Sequence, residues 1–524
     1  MRYIATHVFA ISFHIAALAQ NAAPTVTITL VAVDEGAGTV TVTYDLADGE
    51  NDACDVIFRA SMDGGSTFGS DVSQVSGDAG PGILPGTGRT ITWTHTGITN
   101  IFEATVQVIA DDGNTPDIQA MVDAVTEARM AELLEHVAIP RHHSAHTAGI
   151  QAIRDTLVAT FEAGGLEVTA QDVTFLGATV PNVIGRQPGL ENEDRTYVVD
   201  AHYDAVTNTA GADDNATGVV ATLEIARILS QYRFKQSIRY IGFSFEELGL
   251  VGSNQYVQTG IPAWETIAGV LNMEMIGYYS DVPNSQTVPN GFEILFPAAV
   301  ADIDADQRRG NFLTVVGNAV SQPLLDSFLV ATDTYVPSLR RIPLTVPGNG
   351  QIAPDLRRSD HARFWDAGMQ ALMLTDGSEF RNSNYHTPAD AIPTIDIPFL
   401  TRSTKAVLAA TAKLAEPVNA GTDTYALSQL VGIGEHFHTL PCAAEVYPNP
   451  ARDVLHVRLG DCAGMRVTAR LFDTRGNRIT GRDLYPTGGS NVFELSVKGL
   501  AQGTYLLVLQ VGESSTTLKV EVEH

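Results

Sequence analysis

Cysteine is almost missing from this 524-residue chain, which has Cys54, Cys442 and Cys462 and no others. Three thiols cannot build the disulfide-dense scaffold of a small secreted domain. Cys442 and Cys462 are close enough in sequence to close one loop, which leaves Cys54 as a small buried hydrophobe. Basic charge is short as well: 32 lysines and arginines face 60 aspartates and glutamates, for a net charge of −28. That balance excludes nucleic acid as a partner, because phosphate binding needs a basic face. Surplus negative charge instead keeps an exported protein soluble. Past the first twenty residues no apolar run is long enough to span a bilayer. No Gly-x-Ser-x-Gly elbow occurs either, which removes that route to a serine nucleophile. Charged residues make up only 18% of the chain while Gly, Thr and Val are plentiful, a balance that suits β-rich exported domains.

The length calls for several domains, and the pattern of the chain divides it. Residues 1–19 read as a signal peptide: Arg2 gives the positive start, Val8 to Ile15 the apolar stretch and Ala17-Leu18-Ala19 the small-residue cleavage site. Over 24–115, strand-like runs (Thr25 to Val31, Thr39 to Tyr44, Cys54 to Arg59, Thr90 to Trp93, Glu103 to Ala110) alternate with turns such as Asp63-Gly64-Gly65 and Pro81-Gly82. This predicts a small β-sandwich, to which no chemistry is assigned. Its Asp111-Asp112-Gly113 turn reads as solvated, with calcium as the alternative.

From 118 the period becomes helical, over Met121 to Val137 and again over Thr147 to Ala163, the second ended by Gly164-Gly165. Strands at Leu166 to Val173, Val180 to Gly185, Tyr197 to Ala201, Ser237 to Phe245 and Ala268 to Met275 then alternate with helical segments. This predicts an α/β domain over 118–415 with an open, mostly parallel sheet flanked by helices. Residues 416–440 show no sustained period and read as a linker, and 443–524 are β again, a second sandwich.

Chemistry concentrates where apolar strands end. Tyr197-Val198-Val199 runs into His202 and Asp204, and a Gly-containing loop then brings Asp213-Asp214-Asn215 to the start of a helix at Ala216. Glu246-Glu247 follow the strand ending at Phe245, and Glu274 follows the next. Ser359-Asp360-His361 and Tyr385-His386-Thr387-Pro388 complete the set. In an open α/β sheet such positions converge on one crevice. An imidazole beside carboxylates at the rim of that crevice is how a zinc site is built. Taken singly, each residue also reads as an ordinary surface histidine or a solvated helix start. The three histidines at His142, His143 and His146, with no carboxylate beside them, read as a helix-entry loop and not as a metal site.

The joint motif set resembles the di-zinc peptidase family of secreted bacterial leucyl aminopeptidases, glutamate carboxypeptidases and glutaminyl cyclases, over about Thr126 to Ala415. The resemblance implies that His202, Asp214 and Glu274 hold one zinc and that Asp214, Glu247 and His386 hold a second, with Asp214 bridging. It implies Glu246 as general base, Asp204 as the acceptor that fixes the His202 tautomer, and Asp360 as support behind the ligands. Two zincs sharing a carboxylate lower the pKa of a bridging water and polarise the scissile carbonyl. Two positions depart from the family: Glu274 stands where many members have aspartate, and Leu356 stands where some aminopeptidases have a tyrosine. Another donor must then meet the oxyanion. The first domain resembles the fibronectin- or immunoglobulin-like modules of secreted enzymes. The last, with Val446-Tyr447-Pro448-Asn449-Pro450, Leu471-Phe472-Asp473 and Gly503-Thr504-Tyr505, resembles the C-terminal sorting domain of type IX secretion.

The reading these residues favour is a secreted or surface-attached zinc aminopeptidase acting on peptides and exported by the secretion machinery. The alternatives are a carboxypeptidase or dipeptidase, with Arg357 and Arg358 gripping a substrate carboxylate, a glutaminyl cyclase, and a non-catalytic surface binding protein. His202 weighs against the cyclase, since the resembling cyclases lack that histidine.

Overall fold

The computed structural model describes residues 21–523 apart from 66, 69–73, 96–100, 433–443, 461–466, 474–477, 485–491 and 512–513. The expected signal peptide at 1–19 and the pairing of Cys442 with Cys462 lie outside the described residues, while Cys54 is free and buried.

An eight-stranded sheet forms the middle of the molecule. Its order is Arg341–Val346, Leu313–Asn318, Ala371–Thr375, Thr266–Met273, Asn192–His202, Gln236–Phe243, Asn182–Gln187 and Glu167–Gln171. The four neighbours from Ala371–Thr375 to Gln236–Phe243 run parallel. Leu313–Asn318 and Arg341–Val346 are also parallel to each other, so parallel pairs predominate, but the sheet is mixed: Asn182–Gln187 is antiparallel to both its neighbours and Leu313–Asn318 is antiparallel to Ala371–Thr375. Parallel neighbours need crossovers, and the edge pair Leu313–Asn318 and Arg341–Val346 is joined through the helix Gln322–Tyr335; the antiparallel pair Glu167–Gln171 and Asn182–Gln187 returns through a short hairpin, Thr174–Phe175 with Ala178–Thr179. Side chains alternate across the sheet: Tyr197, Val199 and Ala201 enter one apolar core and Val198 the other, so both faces are covered.

Helices cover those faces for local reasons. Glu127–Val137 starts where the Thr126 hydroxyl accepts from Arg129 N, and buries Met130, Leu133, Leu134 and Val137 along one stripe. That cap splits the expected Met121-to-Val137 helix, whose first part is a separate turn-and-a-half, Ile118–Asp123. Thr147–Ala163 buries Ile150, Ile153, Leu157 and Phe161. The 19-residue helix Ile397–Ala415 runs across the first core, with Asp396 capping Phe399 N at 2.7 Å.

Ahead of this domain, two four-stranded antiparallel sheets share one core that includes Val42, Tyr44, Val56, Trp93 and Val106. One of their strands comes from the segment expected to be a linker. Ala420–Ala426 pairs antiparallel with Thr105–Asp111 over seven residues, and Leu427, fully buried, packs into the same core. The sequence AGTDTYA carries no large alternating hydrophobe, so no strand period is visible there. Gly421 is required: a Cβ on it would lie 1.8 Å from the Pro24 carbonyl oxygen. The α/β domain is thus inserted into this first unit. Cutting the chain after Ala415 is expected to lower the unit's melting temperature by about 5 °C or more relative to a chain ending at Gly432, because burial of a leucine alone contributes about 2 kcal/mol. Scanning calorimetry of the two chains checks it. The final region holds a three- and a four-stranded sheet around Leu455, Val457, Leu471, Leu507 and Val520. Among the described residues no helix is long and apolar enough to cross a membrane.

Candidate metal centre

Four parallel strands end on the same rim, and the acidic and histidine residues expected there do meet. His202 closes the strand Asn192–His202, Glu274 follows Met273 directly, and Glu246 and Glu247 stand just past Phe243. Asp214 lies in the irregular turn Ala212–Thr217 that leads into the helix Gly218–Leu229. His386 arrives on the loop after Ser378–Phe380.

The distances define one cluster. His202 Nε2 is 3.3 Å from Asp214 Oδ1, 3.3 Å from Glu274 Oε2 and 3.9 Å from Glu246 Oε2. His386 Nε2 is 3.1 Å from the other oxygen of Asp214 and 3.2 Å from Glu247 Oε2. Asp214 therefore turns one oxygen to each imidazole. Asp204 Oδ1 lies 3.5 Å from His202 Nδ1. It also accepts from Glu246 N at 3.1 Å, while its second oxygen accepts from Glu247 N at 3.3 Å, so one carboxylate sets the backbone of both glutamates. Ser359 Oγ donates to Glu274 Oε2 at 2.8 Å. Asn215 donates to Met273 O at 2.8 Å and accepts from Met275 N at 3.2 Å, tying the Asp214 turn to both neighbours of Glu274.

The electrostatics are those of a site made for cations. Four carboxylates are crowded here, and among the described residues their ion pairs run only to His202 and His386. Burial raises Glu247 to about 7, helped by the Asp214 charge, and burial lifts Glu246 well above the usual range against the pull of His202. Burial opposes protonation of His386, yet its bonds to Asp214 and Glu247 outweigh it and bring the imidazole up to about 10. His202 is fully buried and neither of its ring nitrogens makes a hydrogen bond. A buried imidazole that makes no hydrogen bond, facing carboxylates paired among the described residues with no arginine or lysine, fits a divalent metal. Two overlapping sets bring ligand atoms within metal reach: His202 with Glu246 and Glu274, and His202 with Asp214 and Glu247.

Backbone strain marks the same place. Phe245, Met275 and His386 all have positive φ (53°, 53° and 57°), although none is glycine. Such conformations cost about 1–3 kcal/mol each and collect at functional sites. No sequence pattern signals them. The structure also joins two residues that the sequence reading named without linking them. Arg358 Nη2 donates to Tyr385 Oη at 2.9 Å and its other nitrogen pairs with Glu379. The Tyr385 ring stacks on His386, with centroids 3.8 Å apart. Beside Glu274 and Tyr385 opens a deep pocket walled by Phe292, Phe296, Ile303, Phe312 and Met373.

Asp360 is buried and burial pushes it up to about 7. Its neighbour His361 is held down to about 3, chiefly by burial, with Nε2 3.0 Å from Leu356 O. An unfolded imidazole takes its proton near pH 6.5, so this group's contribution to stability is complete above that pH and is lost as pH falls toward 3. His361→Gln is expected to reduce the stability lost between pH 7.5 and 4.5 by about 3 kcal/mol, read from urea unfolding at the two pH values. The histidines of the Pro140–His146 loop do not join the centre: His142 Nδ1 accepts from Ser144 N and Ala145 N at 3.2 and 3.1 Å, at the entry to helix Thr147–Ala163.

A mixed α/β sheet with this cluster at its strand ends defines a metal-centred hydrolase. Residues 182–411 match Peptidase family M28, and residues 445–523 match a secretion system C-terminal sorting domain. The Escherichia coli (strain K12) protein YfbL is 32% identical over 245 residues, covering 44% of this chain and 70% of that protein. Leupeptin-inactivating enzyme 1 of Streptomyces exfoliatus is 32% identical over 218 residues, 39% of this chain and 49% of that one. Aminopeptidase YwaD of Bacillus subtilis is 41% identical over a shorter stretch of 93 residues, 17% of this chain and 20% of that one. Among solved structures, the LapA aminopeptidase of Legionella pneumophila superposes with a TM-score of 0.44 at 20% identity, over 57% of this chain and 74% of that one. The chain belongs to peptidase family M28 and is a zinc metallopeptidase. Its sorting domain makes it a secreted or cell-surface protein of the type IX route.

Proposed function

We propose that this protein is an exopeptidase of the aminopeptidase kind, removing N-terminal residues from peptides with two zinc ions per chain. The observation that carries the reading is Asp214, whose two oxygens face different imidazoles at 3.3 and 3.1 Å. On this reading His202, Asp214 and Glu274 hold one ion, and Asp214, Glu247 and His386 hold the other. When bound, zinc supplies Lewis-acid polarisation of a peptide carbonyl and acidifies water.

The chain's own groups do the rest. Glu246, held at its backbone by Asp204, takes a proton from the attacking water and passes it to the leaving amine. Tyr385 Oη accepts from Arg358, so its own proton remains free to donate to the carbonyl oxygen as that oxygen gains charge. It thereby takes the place that Leu356 leaves without a donor. The acidic rim formed by Glu246 and Glu274 attracts a free α-amine. Asp360 supports the cluster from behind.

The arginines argue against carboxypeptidase action. Arg357 is engaged by both oxygens of Asp366 at 2.9 and 2.8 Å, and Arg358, the cation lining the pocket, is paired with Glu379. Neither is left to grip a substrate carboxylate. The apolar pocket suits a bulky N-terminal side chain, and a leucine or phenylalanine anilide is expected to exceed its glycine counterpart in kcat/KM by about 10- to 100-fold. We read residues 24–115, closed by Ala420–Ala426, as a β-sandwich module, 118–415 as the catalytic domain and 443–524 as the sandwich that engages the secretion machinery.

The test is hydrolysis of leucine anilide and its N-acetyl derivative, each with and without a zinc chelator. Chelator-sensitive cleavage of the free-amine compound alone is expected; equal cleavage of both compounds would rule out recognition of the amine.

A further inference from the structure

Arg141 is a fully buried arginine that the chemistry above does not use, contributed by a loop some seventy residues ahead of the Asp214 turn. Its Nη1 donates to Ala210 O at 2.5 Å and Ile139 O at 3.2 Å, and its Nη2 to Gly211 O at 2.9 Å and Asp214 O at 3.2 Å. One of those four carbonyls is that of Asp214 itself, and two more, Ala210 and Gly211, belong to the residues that lead directly into its turn. They point one way because the chain curls at Gly211, at φ 53°, where a Cβ would lie 2.2 Å from the Asp214 carbonyl oxygen. From the other side comes Asp390, also fully buried, four residues past His386. Its two oxygens accept from Asp213 N at 2.8 Å and Asp214 N at 3.1 Å.

We infer that Arg141 and Asp390 form a clamp on the main chain of Asp214, positioning its carboxylate between His202 and His386. One partner satisfies the carbonyls of the turn and the other its amides, so the orientation of a carboxylate at the hub of the centre is set by backbone contacts. Arginine suits this position because its planar head serves four acceptors at once, whereas a lysine ammonium has three donors around a point charge. Asp390 also links the Asp214 turn to the His386 loop, so the clamp fixes two of the proposed ligands relative to each other. Both are positioning residues. The inference rests on the zinc assignment above only for its consequence; the clamp itself is a property of the metal-free chain.

The experiment uses the full chain, as wild type, Arg141→Lys and Asp390→Asn. Zinc affinity is measured by competition with a chelating dye, and amide hydrogen exchange of residues 210–217 is followed in metal-free protein together with the melting temperature. Outer partners of metal ligands contribute about 10- to 100-fold in affinity, so zinc is expected to bind at least about 10-fold more weakly to each variant. The amides of Asp213 and Asp214 are expected to exchange faster while exchange in the core strands is unchanged. Slow amides at 213–214 with wild-type zinc affinity in Asp390→Asn would overturn the clamp, as would a uniform speeding of exchange over the whole domain. Asp390→Asn, nearly isosteric, decides the matter should Arg141→Lys fail to fold. If the wild type itself bound no zinc, the catalytic reading would fall while the exchange data still judged the clamp.

Discussion

Glu246→Gln is expected to lower kcat on leucine anilide by roughly two to four orders of magnitude, the usual worth of a positioned general base, with zinc content unchanged. Glutamine keeps the size of the side chain and its backbone bond to Asp204, so the fold around the rim has no reason to move. What it loses is the ability to accept a proton from water and return it to the leaving amine. The family resemblance makes Glu246 the base and its neighbours ligands, and its greater distance from His202 Nε2, 3.9 Å against 3.3 Å for Asp214 and Glu274, supports that reading although Glu246 also lies within metal reach. The opposite assignment makes a different forecast: were Glu246 a ligand, the variant would lose zinc along with activity. Metal analysis and kinetics on one preparation separate the two, and an active Glu246→Gln enzyme would refute both.

The parts of the centre legible in the sequence were those that sit at the ends of apolar strands. His202, Glu246, Glu247 and Glu274 each follow a run of buried residues, and an open parallel sheet has one rim on which such ends converge. Asp214 and His386 were legible through the loop and helix patterns around them. Arg141 and Asp390 were not, because they act on backbone carbonyls and amides, and a main-chain partner leaves no residue-type signature. Tyr385 and Arg358 stood inside recognisable motifs, yet their bond depends on a loop conformation that spacing does not encode. The strand Ala420–Ala426 was hidden for a compositional reason, since it pairs through its backbone and buries alanine where a strand pattern looks for valine or isoleucine. The antiparallel members of the mixed sheet were not legible, because antiparallel neighbours read as the same apolar runs as parallel ones.

Asp214→Asn is expected to remove at least one zinc equivalent and to cut leucine anilide hydrolysis by roughly three orders of magnitude, since metal polarisation is worth several kcal/mol at the transition state. Among the described residues Asp214 is the one carboxylate paired with both imidazoles, at 3.3 and 3.1 Å, so the neutral amide withdraws a charge and an oxygen ligand from the shared position. Its main chain is held by Arg141 and Asp390 whatever the side chain, so the turn should keep its shape. Stability supplies a second readout. A bound ion stabilises the folded chain by about 4 kcal/mol when free metal exceeds Kd a thousandfold, so wild type is expected to melt several degrees lower after chelation. Asp214→Asn should show most of that loss before any chelator is added, and should gain little when zinc is restored. A variant that melts, loads and turns over like wild type would mean that Asp214 does not bridge, and that the two histidines belong to separate sites or to none.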